Sequence, residues 1–279
     1  MSRTTSPLPD FERPPLVEVA LSIQFDALSS LGVSQLGLLW AEYKERFPKT
    51  QEQPPLPAVT ETFGRKPDRR VEVSFEMLEA LPTPRLWFLS EAGDELIQVQ
   101  KDRFIHNWRK LGEGQEYPRY THIREVFVRQ LSAFCDFLQR EKIGELVPNQ
   151  CEVTYVNHFA SHEGWESHGQ VDNVLAVWSS QLSDDFLPEP EDVRFALRYV
   201  IPDDEGNSAG RLHVSLQPAY RSTDSEAILV LELTARGRPL GDGVEGALRF
   251  LDLGHEWVVR GFTSVTTRAI HQIWGRKDK

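Results

Sequence analysis

The chain has 279 residues, of which 40% are hydrophobic and 26% are charged, so it can build a sizeable core and is not a disordered protein. Its 31 Lys and Arg residues against 42 Asp and Glu residues give a net charge of −11 at pH 7, which disfavours nucleic acid and anionic membranes as partners. The length predicts one large domain or two smaller ones.

Residues 1–15 are rich in Pro, Ser and Thr, which predicts a flexible lead-in. This segment has no apolar core of signal-peptide length, and no stretch approaches the about 18 apolar residues that a membrane span needs. Cys135 and Cys151 stand in apolar contexts without a CxxC spacing, which favours two reduced, buried thiols. We therefore expect a cytoplasmic protein.

The first predicted unit covers residues 16–145. Alternation of apolar and polar residues over 17–25 predicts a strand with one buried face. The helix after it should end at Pro48 and lay an apolar stripe on a sheet. The stripe consists of Leu36, Leu39, Trp40, Tyr43 and Phe47. Further strands are predicted over 71–75, 85–90, 95–100 and 103–109, followed by a long helix over about 121–142.

The second predicted unit covers residues 146–279, where the same pattern restarts. Alternation over 151–159 predicts its first strand. A second apolar stripe repeats the offsets of the first and predicts a second short helix. It consists of Val171, Val174, Leu175, Trp178 and Leu182. Strands over 193–201, 211–217 and 227–235 follow, then a long helix over about 244–262 and a short one over 268–274.

Each unit thus consists of a strand, a helix, several antiparallel strands and a long helix. The expected fold class is α+β, with two repeated β-α-β(3–5)-α modules whose curved antiparallel sheets are each covered on one face by helices. This order resembles the fold of the TATA-box-binding protein and, more distantly, the helix-grip fold of the START and Bet v 1 proteins. The resemblance concerns topology and implies no shared activity.

Three blocks of sequence, RPPLVEVALSIQF, WAEYKERFPKTQEQPPLP and HEWVVRGFTSVTTRAIHQIWGR, resemble a sporadically distributed prokaryotic family of uncharacterised proteins. The resemblance extends over nearly the whole chain. The family has no established activity, so no residue takes a role from it. A patchy distribution would fit mobile or defence-associated genes.

The last long helix carries three residues that need an explanation. A glycine inside a helix costs about 1 kcal/mol relative to alanine, so Gly254 and Gly261 predict close packing of this helix on the sheet or on the other unit. His255 lies on the apolar stripe, without a second histidine one turn away. A partly buried, hydrogen-bonded histidine is therefore favoured over a metal ligand.

The densest group of ionisable residues is the segment HFASHEGWESH, which contains His158, His162 and His168. Neutral imidazoles suit zinc or nickel, so these three are the candidate metal ligands. No HExxH spacing places two of them on one helical face, and the segment is typical of a strand end and a polar loop. We therefore expect no metal and no other cofactor.

A binding site is predicted on the sheet face that the helices leave open. Arg194 and Arg198 alternate with apolar residues on one strand, His213 lies on the next strand, and Glu152 lies on the first strand of the unit. Two arginines on one face could hold a carboxylate or a phosphate by paired hydrogen bonds. The alternative is cross-strand pairing with acids such as Glu152 or Glu232.

The first unit offers Trp108 beside Arg109 as an aromatic anchor for a partner, with core packing of Trp108 as the simpler alternative. The segment QEQPPLP, residues 51–57, is either a plain extended connector or a polyproline II segment that another protein recognises.

Two functions are compatible with these sequence features. The favoured one is a non-catalytic binding or interaction protein, which uses the open sheet face or the groove between the units for a protein or small-molecule partner. A homodimer is also compatible with the sequence. The alternative is a hydrolase for a small or nucleotide-like anionic substrate, with Arg194, Arg198 and His213 around its cleft. No G-x-x-x-x-G-K motif is present, and no catalytic residue is assigned.

Overall fold

The computed structural model describes residues 6–64, 83–112, 114–182, 184 and 186–277. Over these ranges the fold is α+β, with a large antiparallel sheet and four α-helices. The strand predicted over 71–75 lies outside the described residues. Within the described ranges, no helix combines the length and the apolar character that crossing a bilayer needs.

The elements of the first half follow the predicted order. They are β1 (Asp10–Phe11), β2 (Leu16–Phe25), α1 (Val33–Tyr43), β3 (Lys49–Gln53), β4 (Arg85–Leu89), β5 (Glu95–Gln100), β6 (Arg103–Arg109) and α2 (Tyr120–Arg140). Those of the second half are β7 (Pro148–Ala160), β8 (Phe195–Pro202), β9 (Ser208–Tyr220), β10 (Ala227–Gly237), α3 (Gly243–Val265), α4 (Arg268–Ile273) and β11 (Arg276–Lys277). The long helices and the strands predicted over 17–25, 95–100, 103–109, 151–159 and 227–235 are thereby confirmed.

Nine of the described strands form one continuous antiparallel sheet in the order β3-β4-β5-β6-β2-β7-β10-β9-β8. The central pair is β2 and β7, which are far apart in sequence and lie side by side with Val19 opposite Tyr155. The alternation in β2 places Val19, Leu21 and Ile23 on one face, where all three are fully buried. Strands from both predicted units therefore share a single sheet.

The helices cover one face of this sheet and leave the other face open. α2 contacts β6, and α3 contacts β7 and β10. A Cβ atom on Gly261 would lie 2.6 Å from Leu212 Cδ2, and one on Gly254 would lie 3.2 Å from both Val153 Cγ2 and Ala235 Cβ. The two glycines therefore allow α3 to approach the sheet closely, as predicted.

The prediction of a short helix from the second apolar stripe is wrong. A single 3-10 turn, Val171–Asn173, replaces it. The backbone then pairs with the end of α3, because the amide of Ala176 donates to the carbonyl of Val265 (2.8 Å) and that of Thr267 to the carbonyl of Val174 (2.9 Å). These bonds use groups that a helix would need internally. Trp178 and Leu182 are consequently 37% and 56% exposed.

The described part of the N-terminal segment, residues 6–15, packs against the C-terminal part of the chain. β1 pairs with β11, and Phe11 is buried against Phe262 and Trp274 at ring-centroid distances of 5.6 and 6.2 Å. The expectation of a flexible lead-in rested on the polar composition of the segment. The segment also contains one large aromatic side chain, Phe11, whose burial contributes about 2 kcal/mol.

Both cysteines are free thiols. Cys151 is buried and Cys135 is partly buried, and burial raises the pKa of each thiol above its ordinary value. This agrees with the prediction of reduced thiols in apolar surroundings.

Candidate functional site

A cavity of about 360 Å³ lies between α2 and α3, above the central strands β2 and β7, and the segment over residues 8–16 closes one side. Apolar side chains form most of its wall, namely Leu8, Pro14, Leu16, Val258, Val259 and Phe262. A few polar groups converge on it from the sheet and from the ends of the helices. We refer to it as the inter-helix cavity.

A chain of hydrogen bonds runs along one wall of the inter-helix cavity. The hydroxyl oxygens of Tyr117 and Tyr155 are 2.8 Å apart, and the Tyr155 hydroxyl lies 3.0 Å from Nδ1 of His255. Burial lowers the pKa of His255 to about 4 and raises that of Tyr117 to about 12. At neutral pH all three groups are therefore uncharged, and they offer hydrogen-bond donors and acceptors without net charge.

Contacts between α2 and α3 hold His255 in place. Its ring stacks on Tyr120 with centroids 3.7 Å apart and planes 6° apart. The Tyr120 hydroxyl donates to Asp252 Oδ1 (2.9 Å), and Arg124 donates to both carboxylate oxygens of Asp252 (2.6 and 2.9 Å). The two helices are thus joined where the polar groups meet the cavity.

Arg119 lies at the wall of the cavity, directly before α2, with a strained backbone. Its φ of 74° and ψ of 151° fall in a region that residues other than glycine rarely adopt and that costs about 1–3 kcal/mol. Its guanidinium forms an ion pair with Asp10 Oδ1 at 2.6 Å, and Lys277 lies 3.5 Å from the same carboxylate. Strained residues concentrate at binding and catalytic sites, so the strain at Arg119 supports the cavity as the candidate functional site.

The open face of the sheet carries an extended segment of the same chain, residues 54–64, which we call the strap. It follows β3 and steps across the sheet, since Leu56 contacts β5, Pro57 contacts β6 and Val59 contacts β2. Glu61 then reaches β7, β10 and β9. The strap therefore crosses most of the sheet at a steep angle to the strands.

Glu61 forms several ion pairs and hydrogen bonds from the strap, and its side chain is only 8% exposed. Oε1 lies 2.6 Å from Nε2 of His213 and 3.7 Å from Nη1 of Arg236, and Oε2 accepts from Arg211. Burial would raise the pKa of Glu61, but the hydrogen bonds and charges of His213 and Arg211 lower it overall. The carboxylate is therefore ionised at neutral pH, and the guanidinium groups of Arg211 and Arg236 balance its charge.

The predicted residues of the open face lie on β7, β8 and β9 and directly before β8. His213 binds Glu61 and Glu152 binds Arg236, so these two lie at the end of the strap. Arg198 is exposed on β8 opposite His213. Arg194 lies before β8, where it is exposed and 3.5 Å from Asp192 Oδ1. The structure thus places Arg194 just outside β8 and Arg198 within it.

Trp108 and Arg109 point to opposite faces of β6. Trp108 is buried under the helices with its ring 5.5 Å from that of Tyr117. Arg109 lies on the open face, 5.0 Å above the Trp87 ring and 3.4 Å from Glu18 Oε1. The structure thus favours the simpler interpretation of Trp108 as a core residue.

The three candidate metal-ligating histidines have separate surroundings. His158 lies in β7, His162 Nδ1 is 3.2 Å from Glu226 Oε1, and His168 Nε2 is 3.1 Å from the carbonyl oxygen of Ile228. Among the residues that the structure describes, no three His, Cys, Asp or Glu side chains are grouped so as to hold a metal ion.

Sequence reasoning did not identify Tyr117, Tyr155 or the glutamines that hold the strap. The glutamines gave no signal in the sequence, because only the structure shows that Gln24, Gln100 and Gln150 are buried on the open face. Burying an amide requires hydrogen-bond partners, which implies a covering segment.

Comparisons of the chain with protein-family models, with curated proteins and with solved structures gave no match.

Proposed function

We propose that this is a non-catalytic binding protein that holds a small, uncharged molecule in the inter-helix cavity. One observation carries the proposal, namely that a cavity of about 360 Å³ with a largely apolar wall contains a row of uncharged hydrogen-bonding groups, Tyr117, Tyr155 and His255. Small-molecule sites are usually apolar pockets of about 300–1,000 Å³ with a few convergent polar groups. The cavity fits the lower end of that range.

The charges at the cavity favour an uncharged ligand. Among the lining residues, Arg119 and Asp10 form an ion pair, Lys277 contacts Asp10 from outside the lining, and the lowered pKa of His255 keeps the imidazole neutral. A charged ligand would lose its hydration without gaining a counter-ion from these groups, which is costly in an apolar environment. A neutral ligand loses little and can replace water at the tyrosine hydroxyls.

The same properties support binding over proton transfer. An imidazole with a pKa of about 4 is a weak base at neutral pH, and tyrosines with raised pKa values stay protonated. The hydrolase alternative needs Arg194, Arg198 and His213 around one cleft. His213 is engaged by Glu61 and Arg194 lies beside Asp192, which does not favour that alternative.

The proposal includes an internal duplication of the type seen in the TATA-box-binding protein. It is supported by the strand order, in which β6 lies beside β2 and β10 lies beside β7, so that the order is similar on both sides of the central pair. A long helix follows each of the strands β6 and β10. The inter-helix cavity would then lie at the junction of two related modules, and the second module would have lost its short helix.

Two fluorescent probes of similar shape test the proposed ligand chemistry. N-phenyl-1-naphthylamine is uncharged, whereas 8-anilinonaphthalene-1-sulfonate carries a sulfonate. We expect the wild-type chain to bind the uncharged probe at least tenfold more tightly, as measured by fluorescence titration. The substitution Val259→Trp should fill the cavity and reduce this binding at least tenfold, while Leu38→Ala, at an exposed apolar position on α1, should not.

The opposite result would contradict the proposal. Equal binding of both probes would show that the site does not prefer an uncharged ligand. Binding that Val259→Trp leaves unchanged would place the probe elsewhere on the protein. Tyr117→Phe supplies a milder variant that keeps the ring and removes one hydroxyl of the hydrogen-bond chain. We expect it to weaken binding of the uncharged probe about fivefold, which corresponds to the loss of one hydrogen bond of about 1 kcal/mol.

A further inference from the structure

The strap is not needed to join β3 to β4. The two strands are antiparallel neighbours with Gln53 opposite Arg85, so a two-residue turn would suffice to join them. The strap, residues 54–64, instead leaves β3 and reaches as far as β9.

The open face recognises the main chain of the strap. The side-chain amide of Gln100 accepts from the Leu56 amide (2.9 Å) and donates to the Leu56 carbonyl (3.0 Å). Gln24 does the same for Val59, at 2.9 and 3.0 Å. Arg103 donates to the carbonyl of Pro57 at 3.0 Å. These contacts pair with peptide groups and not with particular side chains, so they suit any extended polypeptide.

Selectivity comes from the far end of the strap. Glu61 is the buried anchor between His213, Arg211 and Arg236. Two residues later, the ring of Phe63 lies 4.4 Å below the guanidinium of Arg211. This end of the surface therefore recognises a carboxylate followed at the second position by an aromatic ring.

We infer that the open face is a receptor surface for an extended segment of a partner protein with a Glu-x-Phe-like sequence, and that the strap occupies this surface as an intramolecular competitor. The inference concerns a surface separate from the inter-helix cavity. A peptide fits the chemistry better than nucleic acid does. Glu18, Glu152 and Glu232 share the face with the basic groups and repel phosphates, whereas the glutamine amides match peptide groups.

An attached competitor sets the conditions for detecting such a partner. A segment tethered beside its site has an effective concentration in the millimolar range, so a free peptide competes poorly with the wild-type strap. Glu61→Gln removes the charge of the strap anchor and leaves the receptor side chains Arg211, His213 and Arg236 in place. A free peptide that retains the glutamate should then displace the weakened strap.

The test uses the full chain and a fluorescein-labelled peptide of residues 54–64, PPLPAVTETFG. By fluorescence anisotropy, we expect the Glu61→Gln chain to bind this peptide at least tenfold more tightly than the wild-type chain does. A peptide that itself carries Glu61→Gln should bind at least tenfold more weakly. The double variant Glu61→Gln/Arg211→Ala should lose binding, and Glu52→Gln, the same change at an exposed position of β3, should behave as wild type.

Hydrogen–deuterium exchange on the wild-type chain keeps the inference testable if the Glu61→Gln chain folds poorly. A large excess of unlabelled peptide should increase exchange at the amides of Leu56, Val59 and Glu61, because the displaced strap loses its partners. Unchanged exchange of the strap together with no peptide binding to the Glu61→Gln chain would overturn the inference. Binding of single-stranded DNA in place of the peptide would overturn it as well.

Discussion

The imidazole of His255 lies flat on the ring of Tyr120, with their centroids 3.7 Å apart and their planes 6° apart. This stack joins α3 to α2 at the wall of the inter-helix cavity. It also buries a group that would carry a charge in water below pH 6.5. The contact therefore links the stability of the helix pair to pH.

Stability should fall as the pH drops from about 6.5 to 4, because His255 has a folded-state pKa of about 4. In this window the unfolded chain protonates the histidine and the folded chain does not, which destabilises the fold by about 1.4 kcal/mol per pH unit. His255→Gln should remove this part of the slope in urea unfolding measured between pH 7 and 4.5. Burial also lowers the pKa values of His158 and His271, so some slope should remain.

The matched control for this measurement is His122→Gln, at an exposed position on α2. It should leave the pH slope as it is in the wild-type chain. A slope that His255→Gln does not change would show that the imidazole is already accessible to protons in the folded state.

Glu95 should stabilise the fold in the opposite pH direction. The ring of His106 (3.9 Å) and the guanidinium of Arg46 (2.6 Å) hold the pKa of Glu95 at about 2. A carboxylate with a lowered pKa contributes stability above pH 4.5, and this contribution is lost as the pH falls from 4.5 towards 2. Glu95→Gln should therefore cost on the order of 2 kcal/mol at pH 7 and progressively less at lower pH.

Chemical denaturation at pH 7 and at pH 3 measures this convergence directly. The same substitution at Glu45, which is exposed in the turn after α1, provides the control. An equal loss of stability at both pH values would mean that the Glu95 carboxylate contributes by packing and not by charge.

The strained backbone at Arg119 predicts an ordering of two variants. Arg119→Gly and Arg119→Ala both remove the ion pair with Asp10, but only glycine adopts a φ of 74° and a ψ of 151° without strain. The glycine variant should be more stable than the alanine variant by about 1–3 kcal/mol in urea unfolding. If the alanine variant is equally stable, the cavity wall does not impose this conformation.

Two glycine substitutions should change stability in opposite directions. Gly37 lies within α1 with open space at its Cβ position, so Gly37→Ala should stabilise the protein by about 0.5–1 kcal/mol through helix propensity. A Cβ on Gly237 would lie 2.3 Å from the carbonyl oxygen of Ala209 and 2.3 Å from the Phe250 ring. Gly237→Ala should therefore destabilise by about 1–3 kcal/mol, since a backbone atom must move. Thermal unfolding of both variants checks the two signs.

Local patterns predicted most of the strands and both long helices. The alternation Val19, Leu21, Ile23 identified β2, and the stripe from Val244 to Phe262 identified α3, because each pattern records which face of a segment is buried. The close approach of α3 was also predictable, since two glycines inside a helix lower its propensity and need a packing reason. These features depend on residues within one segment.

The stripe from Val171 to Leu182 shows where local periodicity stops being informative. Its spacing equals that of α1, yet its backbone hydrogen bonds go to the end of α3. This segment forms main-chain hydrogen bonds with the end of α3 in place of helical ones, so its conformation depends on a segment distant in the sequence. A pattern within one segment contains no information about hydrogen bonds to a distant segment.

Sequence alone therefore determined the fold class, the acidic surface and the faces that strands and helices bury, since each follows from composition or short-range periodicity. Tertiary structure alone decided that β2 pairs with β7, that Tyr117, Tyr155 and His255 meet at one cavity, and that Glu61 reaches His213. Those contacts join residues far apart in the chain. They depend on strand register and on the placement of one element against another, which local periodicity does not encode.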